Sequence, residues 1–246
     1  MVICSDFDGT LNSSTDPLVL STNLLAVRKW REAGHAFVLV TGRNHAIISS
    51  ILPDWQKYID YLIMDNGGAT FSNQDQLIHV YKLERSLIYA IRSLVCNRAM
   101  PISYSPERCS IDLMVGETAI KLRLYFRTEE LLKRCHAQIE DQNWPIKVLP
   151  WLKPGFSKLP DGTNPNRFYG FLDIVHKDSG KECAIQRLVN IKYPQSDIIT
   201  IGDDYNDIAM LSRFRGFAIN GSPNEIIAAA NGRTITSVAN LIYQHL

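Results

Sequence analysis

Four short apolar runs, each breaking off at a polar cluster, constrain the fold of this chain more than any other feature. Val2-Ile3-Cys4-Ser5 stops at Asp6, and Ala36-Phe37-Val38-Leu39-Val40 stops at Thr41-Gly42-Arg43. Tyr61-Leu62-Ile63-Met64 stops at Asp65-Asn66-Gly67-Gly68, and Ile198-Ile199-Thr200-Ile201 stops at Gly202-Asp203-Asp204. A strand with one wet face would place a polar residue at every second position. These runs do not, so they read as strands buried on both faces. Helical spacing fills the gaps between them. Ser21 is placed to cap a helix carrying Leu24, Val27, Trp30 and Arg31 that ends at Gly34, and a second helix holds Ile47, Ile48, Ile51 and Leu52 before Pro53. Strand and helix in alternation predict an α/β fold of three layers, α/β/α, on a parallel sheet.

The texture changes after about residue 78. His79-Val80-Tyr81 leads into a helix with Leu83, Leu87, Ile88, Ile91, Leu94 and Val95 on one face. Residues 110–126 then read as strands, a helix follows Thr128, Pro150 to Gly170 is rich in Pro, Gly and Asn, and another strand runs from Phe168 to Val175. Strand pairs with helices describe an inserted α+β unit, so 79–172 is expected to interrupt a domain made of 1–78 and 173–246. The parallel pattern resumes with a helix from Ser179, where Ser179-x-x-Glu182 fits a capping box and puts Lys181 in the first turn.

Lys and Arg number 26 against 25 Asp and Glu. That balance gives no support for nucleic-acid binding through bulk positive charge. No run approaches the length of a membrane span, and the start lacks the features of a secretory signal, so a cytoplasmic location is expected. The five cysteines are scattered, with no C-x-x-C pair, and read as reduced thiols. Nothing points to an obligate protein partner.

Chemistry concentrates at the strand ends, where open α/β sheets place their ligands. Asp6 and Asp8 flank one residue after the first strand, and two such carboxylates repel unless a cation or a proton separates them. A hard divalent ion such as Mg²⁺ suits that oxygen-only set, although an acidic turn alone has the same letters. Thr41 and Gly42 offer a hydroxyl and an accessible amide before a helix, which is either an anion site or an ordinary capping turn. Lys181 opposes the dipole of its helix unless something negative lies near. Gly202-Asp203-Asp204-Tyr205-Asn206-Asp207 packs three acids and an asparagine into five positions, again favouring a cation.

In this order the four clusters resemble the haloacid dehalogenase superfamily over the full length: Asp6-x-Asp8-Gly9-Thr10, Thr41, Lys181, and Gly202-Asp203-Asp204-x-Asn206-Asp207. The insert and the last motif are similar to the Cof-type and sucrose-phosphatase-like branch with a type IIB (C2B) cap. The resemblance implies a Rossmann-like core with an inserted cap, and a Mg²⁺-dependent phosphatase for a small phosphorylated metabolite such as a sugar phosphate. Asp6 is then the nucleophile and Asp8 the general acid and base. Asp6, Asp203 and the carbonyl of Asp8 would hold the metal, with Asp207, and also Asp204, behind them. Thr41, Gly42, Lys181 and Asn206 would bind the phosphoryl group. A phosphosugar mutase uses the same core residues. A phospho-accepting signalling domain, or a silent sensor, is the other alternative, and Asp8 and the insert argue against the signalling domain. In the insert, Arg108, Lys121, Arg123, Lys153, Lys158, Arg167 and Trp151 are candidate substrate contacts.

Overall fold

The computed structural model describes residues 1–13, 16–96, 118–126, 128–152 and 170–246. Along the chain come β1 (Val2–Ser5), α1 (Pro17–Glu32), β2 (Ala36–Val40), α2 (His45–Ile51), β3 (Tyr61–Met64), β4 (Ala69–Ser72) and β5 (Leu77–Val80). There follow β6 (Leu83–Glu84), α3 (Arg85–Cys96), β7 (Thr118–Ala119), β8 (Lys121–Phe126), α4 (Glu129–Glu140), β9 (Ile146–Leu152) and β10 (Gly170–His176). The last stretch holds α5 (Lys181–Lys192), β11 (Ile198–Gly202), α6 (Ile208–Arg213), β12 (Arg215–Ile219), α7 (Asn224–Ala229), β13 (Thr234–Ile235) and α8 (Val238–His245). These residues form two units, Met1–Val80 with Ser179–Leu246, and Tyr81–Asp178.

The larger unit is built on an eight-stranded sheet in the order β13-β12-β11-β1-β2-β3-β4-β5. Strands β13 to β3 run parallel, whereas β4 and β5 are antiparallel additions at one edge. The sheet is therefore mixed rather than purely parallel. Successive residues of β1 and β2 serve opposite faces. Ile3, Phe37 and Leu39 pack with Val27 and Trp30 of α1 and Val238, Leu241 and Ile242 of α8. Val2, Cys4, Val38 and Val40 pack with Ala184, Ile185 and Leu188 of α5 and Met210 of α6. Each such side chain, fully buried, is worth about 1.5–3 kcal/mol. Trp30 is fully buried, and its indole N–H donates to the Ala36 carbonyl at 2.9 Å. Asn23 ties the first layer to the loop after β1. Its amide donates to the Leu11 carbonyl and its oxygen accepts from the Ala239 N–H, both at 2.9 Å.

Several expectations change. Helix α1 starts at Pro17 with Asp16 as its cap, accepting from the Leu18 N–H at 2.9 Å. Ser21 sits inside the helix and donates to the Leu18 carbonyl. Proline at the first helical position needs no hydrogen bond and has φ preset, which moves the start back. Residues 77–80 complete the large sheet through β5 instead of opening the insert. The second boundary falls after Asp178, because β10 pairs on both sides within the smaller unit.

The smaller unit carries an antiparallel sheet in the order β8-β10-β9 and the short pair β6-β7. One sheet face, with Leu122, Leu124, Phe126, Leu172 and Ile174, packs on Ile88 and Ile91 of α3 and Leu132, Cys135 and Ile139 of α4. Helix α4 is capped by Thr128, whose hydroxyl accepts from the Leu131 N–H. Strand β9 runs through Pro150 into the stretch whose Pro, Gly and Asn content speaks for a loop. Proline lacks a ladder donor, and β9 tolerates it because it lies at the edge of its sheet. On the opposite face, Trp151 stacks on Phe171 with centroids 5.2 Å apart, and the Arg123 guanidinium lies 3.9 Å from the Phe171 ring centre. Arg108, Lys153, Lys158, Arg167 and most of the 150–170 segment lie outside the described residues.

Candidate active site

Every core residue singled out above belongs to the larger unit, and the carboxyl ends of β1, β2 and β11 bring them together. Lys181 is their junction. Its Nζ donates to Asp6 Oδ1 and to Asp207 Oδ1, both at 2.6 Å, and it is only 2% exposed. Gly180, not Ser179, is the N-cap of α5, and no side chain caps that helix. Lys181 is then the first residue of α5, and the two carboxylates offset its unfavourable place at the positive end of the dipole. The solvated lysine and the Ser179 capping box that the sequence allowed are both replaced by this buried bridge.

Asp207 is fully buried, and its second oxygen accepts from the N–H groups of Asp203 and Asp204 at 3.1 Å each. It thereby fastens the acidic loop to Lys181. Asp204 caps the short helical turn Tyr205–Asp207, with its carboxylate accepting from the Tyr205 N–H at 2.7 Å. Asp203 takes a 2.6 Å hydrogen bond from the Thr10 hydroxyl and crosses above Gly9. A side chain at Gly9 would come within 2.1 Å of that carboxylate, and φ there is +81°, so glycine is required twice over.

Asp8 makes no part of the cluster formed by Asp6, Asp203 and Asp207 through its side chain. Both its oxygens are held by Arg43, Nε to Oδ2 and Nη2 to Oδ1, each at 2.6 Å. That partner was missed in the sequence, although Arg43 stood beside Thr41 and Gly42. Thr41 is buried, and its hydroxyl oxygen accepts from the Arg43 N–H at 3.1 Å. Helix α2 begins three residues beyond Gly42, the end of the expected anion site. Asn44 caps it, accepting from the Ile47 N–H, so Gly42 lies in the loop ahead of the helix and not at its terminus.

Asn66, in the polar cluster that ends β3, also belongs here. Its side-chain oxygen accepts from Asn206 Nδ2 at 3.2 Å, and its carboxamide fills the space over Gly42. Asp65 and Asn66 have φ of +51° and +55°. Left-handed backbone costs a residue other than glycine roughly 1–2 kcal/mol, less for Asp and Asn, whose polar side chains relieve it.

One carboxylate oxygen from each of Asp6, Asp203 and Asp207 lies within 4.8 Å of the other two. Burial pushes Asp6 well above the usual carboxylate range, and Asp207 and Asp203 add to the rise while Lys181 opposes it. Asp203 is pushed up to about 6, mainly by burial, against the lowering effect of the Thr10 hydrogen bond. For Lys181, burial works against the charge, but Asp207 and Asp6 outweigh it and the ammonium is held more firmly than in water. Three carboxylates around one ammonium leave excess negative charge in a place poor in solvent. A hard divalent cation is the natural complement to such an oxygen-only set, so these residues fit Mg²⁺.

A mixed α/β sheet with a buried acid cluster at its carboxyl edge is thus the frame of the site. Residues 3–244 match the haloacid dehalogenase-like hydrolase family, and the chain belongs to it. It is 23% identical over 289 residues to the pyridoxal phosphate phosphatase YbhA of Escherichia coli, covering 100% of this chain and 98% of that one. A candidate phosphatase of Haemophilus influenzae is 25% identical over 252 residues, 96% of this chain and 92% of its own. Among solved structures, a haloacid dehalogenase-like hydrolase from B. subtilis has a TM-score of 0.77 at 18% identity, covering 100% of this chain and 99% of that chain. The HAD subclass IIB sugar phosphatase BT4131 has a TM-score of 0.72 at 20% identity, covering 99% and 96%.

Proposed function

We propose that this chain is a Mg²⁺-dependent phosphomonoester hydrolase that acts through an aspartyl-phosphate on a small phosphorylated metabolite of the sugar-phosphate kind. One observation carries the reading. Asp6 at the end of β1 is held by a buried lysine and shares a cluster with Asp203 and Asp207. Asp6, Asp203 and the main-chain carbonyl of Asp8 would hold Mg²⁺, with Asp207 behind them. The ion would supply charge neutralisation on the phosphoryl oxygens and between the carboxylates.

In the first displacement an Asp6 oxygen attacks phosphorus, the P–O bond to Asp6 forms, and the bond to the leaving alkoxide breaks. Asp8 gives that alkoxide its proton. In the second, Asp8 takes a proton from a water that attacks the same phosphorus, which releases Asp6 and inorganic phosphate. Both Asp8 oxygens are engaged by Arg43, so each proton transfer requires the guanidinium to give up at least one of them. Thr41, the Gly42 amide, Lys181 and Asn206 donate to the phosphoryl oxygens, fixed donors being most effective where charge develops. The names of two similar proteins, a pyridoxal phosphate phosphatase and a sugar phosphatase, favour a small leaving group over a protein substrate.

The test is hydrolysis of p-nitrophenyl phosphate and of a panel of phosphorylated metabolites, with Mg²⁺ and with excess chelator. Turnover that needs the metal and favours sugar phosphates is expected. Full activity in chelator would refute the metal, and activity confined to phosphopeptides would refute the substrate class.

A further inference from the structure

A left-handed turn in the larger unit follows β3. Asp65, Asn66 and Gly67 have φ of +51°, +55° and +88°, three left-handed residues in succession, and the first two carry side chains. Backbone strain of this kind persists only where surrounding contacts fix it, and it concentrates at functional sites. The contacts here reach three of the four chemistry-bearing segments. The Asp65 N–H donates to the Arg43 carbonyl at 3.0 Å and the Asn66 N–H to the Thr41 carbonyl at 3.1 Å. Gly67 lies against the backbone of Gly180, the residue before Lys181, so closely that a Cβ would fall 2.2 Å from the Gly180 oxygen. The Asn66 side chain, 1% exposed, reaches the acidic loop through Asn206 and covers Gly42, where a Cβ would fall 2.9 Å from its oxygen.

We propose that Asn66 is a positioning residue for phosphoryl binding, and that the strained turn exists to aim its carboxamide at Asn206. A carboxamide presents an acceptor at one end and two donors at the other, and its two orientations differ little in shape. By accepting from Asn206 Nδ2, Asn66 fixes which end of Asn206 is the nitrogen and leaves that nitrogen a second N–H for a phosphoryl oxygen. The left-handed backbone is the means. An extended residue after Met64 would carry the side chain away from both Gly42 and Asn206. The inference rests on the reading of Thr41, Gly42, Lys181 and Asn206 as phosphoryl donors.

The experiment measures inorganic phosphate binding by calorimetry in Mg²⁺, kcat/KM for p-nitrophenyl phosphate, and thermal melting, all on the full chain. Asn66→Gly accepts the left-handed backbone without strain but lacks the carboxamide. We expect it to weaken phosphate binding and kcat/KM about tenfold, the effect of losing one well-placed hydrogen bond, while the melting temperature holds or rises. Asn206→Ala should show a similar loss, and the pair should be no worse than the poorer single variant. Asn66→Asp keeps both the left-handed preference and the acceptor, so in that background Asn206→Ala should again show its full effect. Wild-type phosphate affinity in Asn66→Gly, or additive losses in the double variant, would overturn the proposal. If the wild-type protein neither binds phosphate nor hydrolyses any ester, the reading of the site fails and this inference falls with it. A wild-type enzyme that does both, with Asn66→Gly unchanged, refutes this inference alone.

Discussion

Each unit of the molecule buries a cluster of charge, and the two are balanced in opposite ways. In the larger unit a single ammonium, Lys181, stands between Asp6 and Asp207, with Asp203 close by. Among the described residues of the smaller unit, the carboxylate of Asp173 takes Arg123 on both oxygens at 2.6 and 2.7 Å and has Lys121 at 3.8 Å. The second cluster has cation enough for its anion and sits between strands β8 and β10, where it fixes their pairing. The first holds more anion than cation. Buried charge is tolerated when it is paired, so a cluster left with an excess is a site that expects another ion. On the function proposed above, that contrast separates structural charge from functional charge.

The comparison breaks most visibly at Asp6. Asp6→Asn should reduce turnover to assay background and abolish any acid-stable phospho-protein, since it removes the proposed nucleophile. Asp8→Asn should be milder, a loss of roughly 10²–10⁴-fold, and should lengthen the life of the phospho-intermediate. Rapid-quench kinetics with an activated ester separates the two. Wild-type turnover in Asp6→Asn would show that the cluster is structural after all.

Lys181→Met sharpens the contrast through stability. By its place against the helix dipole alone, removing this cation would leave stability intact or raise it. The structure reverses that expectation, because Asp6 and Asp207 would remain buried without their ammonium. A loss of about 3–5 kcal/mol is expected in chelator, and Mg²⁺ should recover part of it. Arg123→Met, in the smaller unit, should destabilise to a comparable degree but with no recovery by Mg²⁺. Denaturant melts of both variants, with and without metal, decide the matter. Equal metal responses would erase the distinction.

A smaller effect comes from pH. Asp203 has a folded pKa of about 6 against 3.8 for the ordinary side chain. The folded state therefore binds more protons than the unfolded state between those values, and stability in chelator falls as pH rises from about 4 to above 6. The loss from this group is at most about 3 kcal/mol. Saturating Mg²⁺ should flatten the slope, because the ion replaces the proton. The same slope in wild type and Asp203→Asn, both in chelator, would contradict the assigned burial of Asp203. The smallest change belongs to Trp151→Ala, which removes the stack on Phe171. On the proposal that the inserted unit selects the substrate, it should alter the ranking of sugar phosphates by several-fold while leaving p-nitrophenyl phosphate turnover within about twofold.

Much of the core was legible in the letters because its signals are local. An apolar run buried on both faces, followed at once by acids or by Thr and Gly, states a strand and the chemistry at its end within ten residues. Asp6, Asp8, Thr41, Asp203 and Asp207 were singled out in that way, and Lys181 by its place at a helix start. Partners were not legible, because no local pattern specifies them. Arg43 meets Asp8 across 35 positions and Asn206 meets Asn66 across 140. Strand β9 was lost because Pro150 speaks against a strand unless the strand lies at an edge, and only sheet order reveals that.

By itself, then, the sequence determined the periodicities, the burial of the central strands and the kinds of atom gathered at their ends, since each follows from neighbours a few bonds apart. Only the tertiary structure decided how those atoms are paired. Lys181 reads from its helix alone as a misplaced cation, and becomes the centre of the site once the fold carries Asp6, from 175 residues away, to within 2.6 Å. The sign of its contribution to stability changes with that contact. Electrostatic energy depends on distance and burial, and neither is a property of the chain until it has folded.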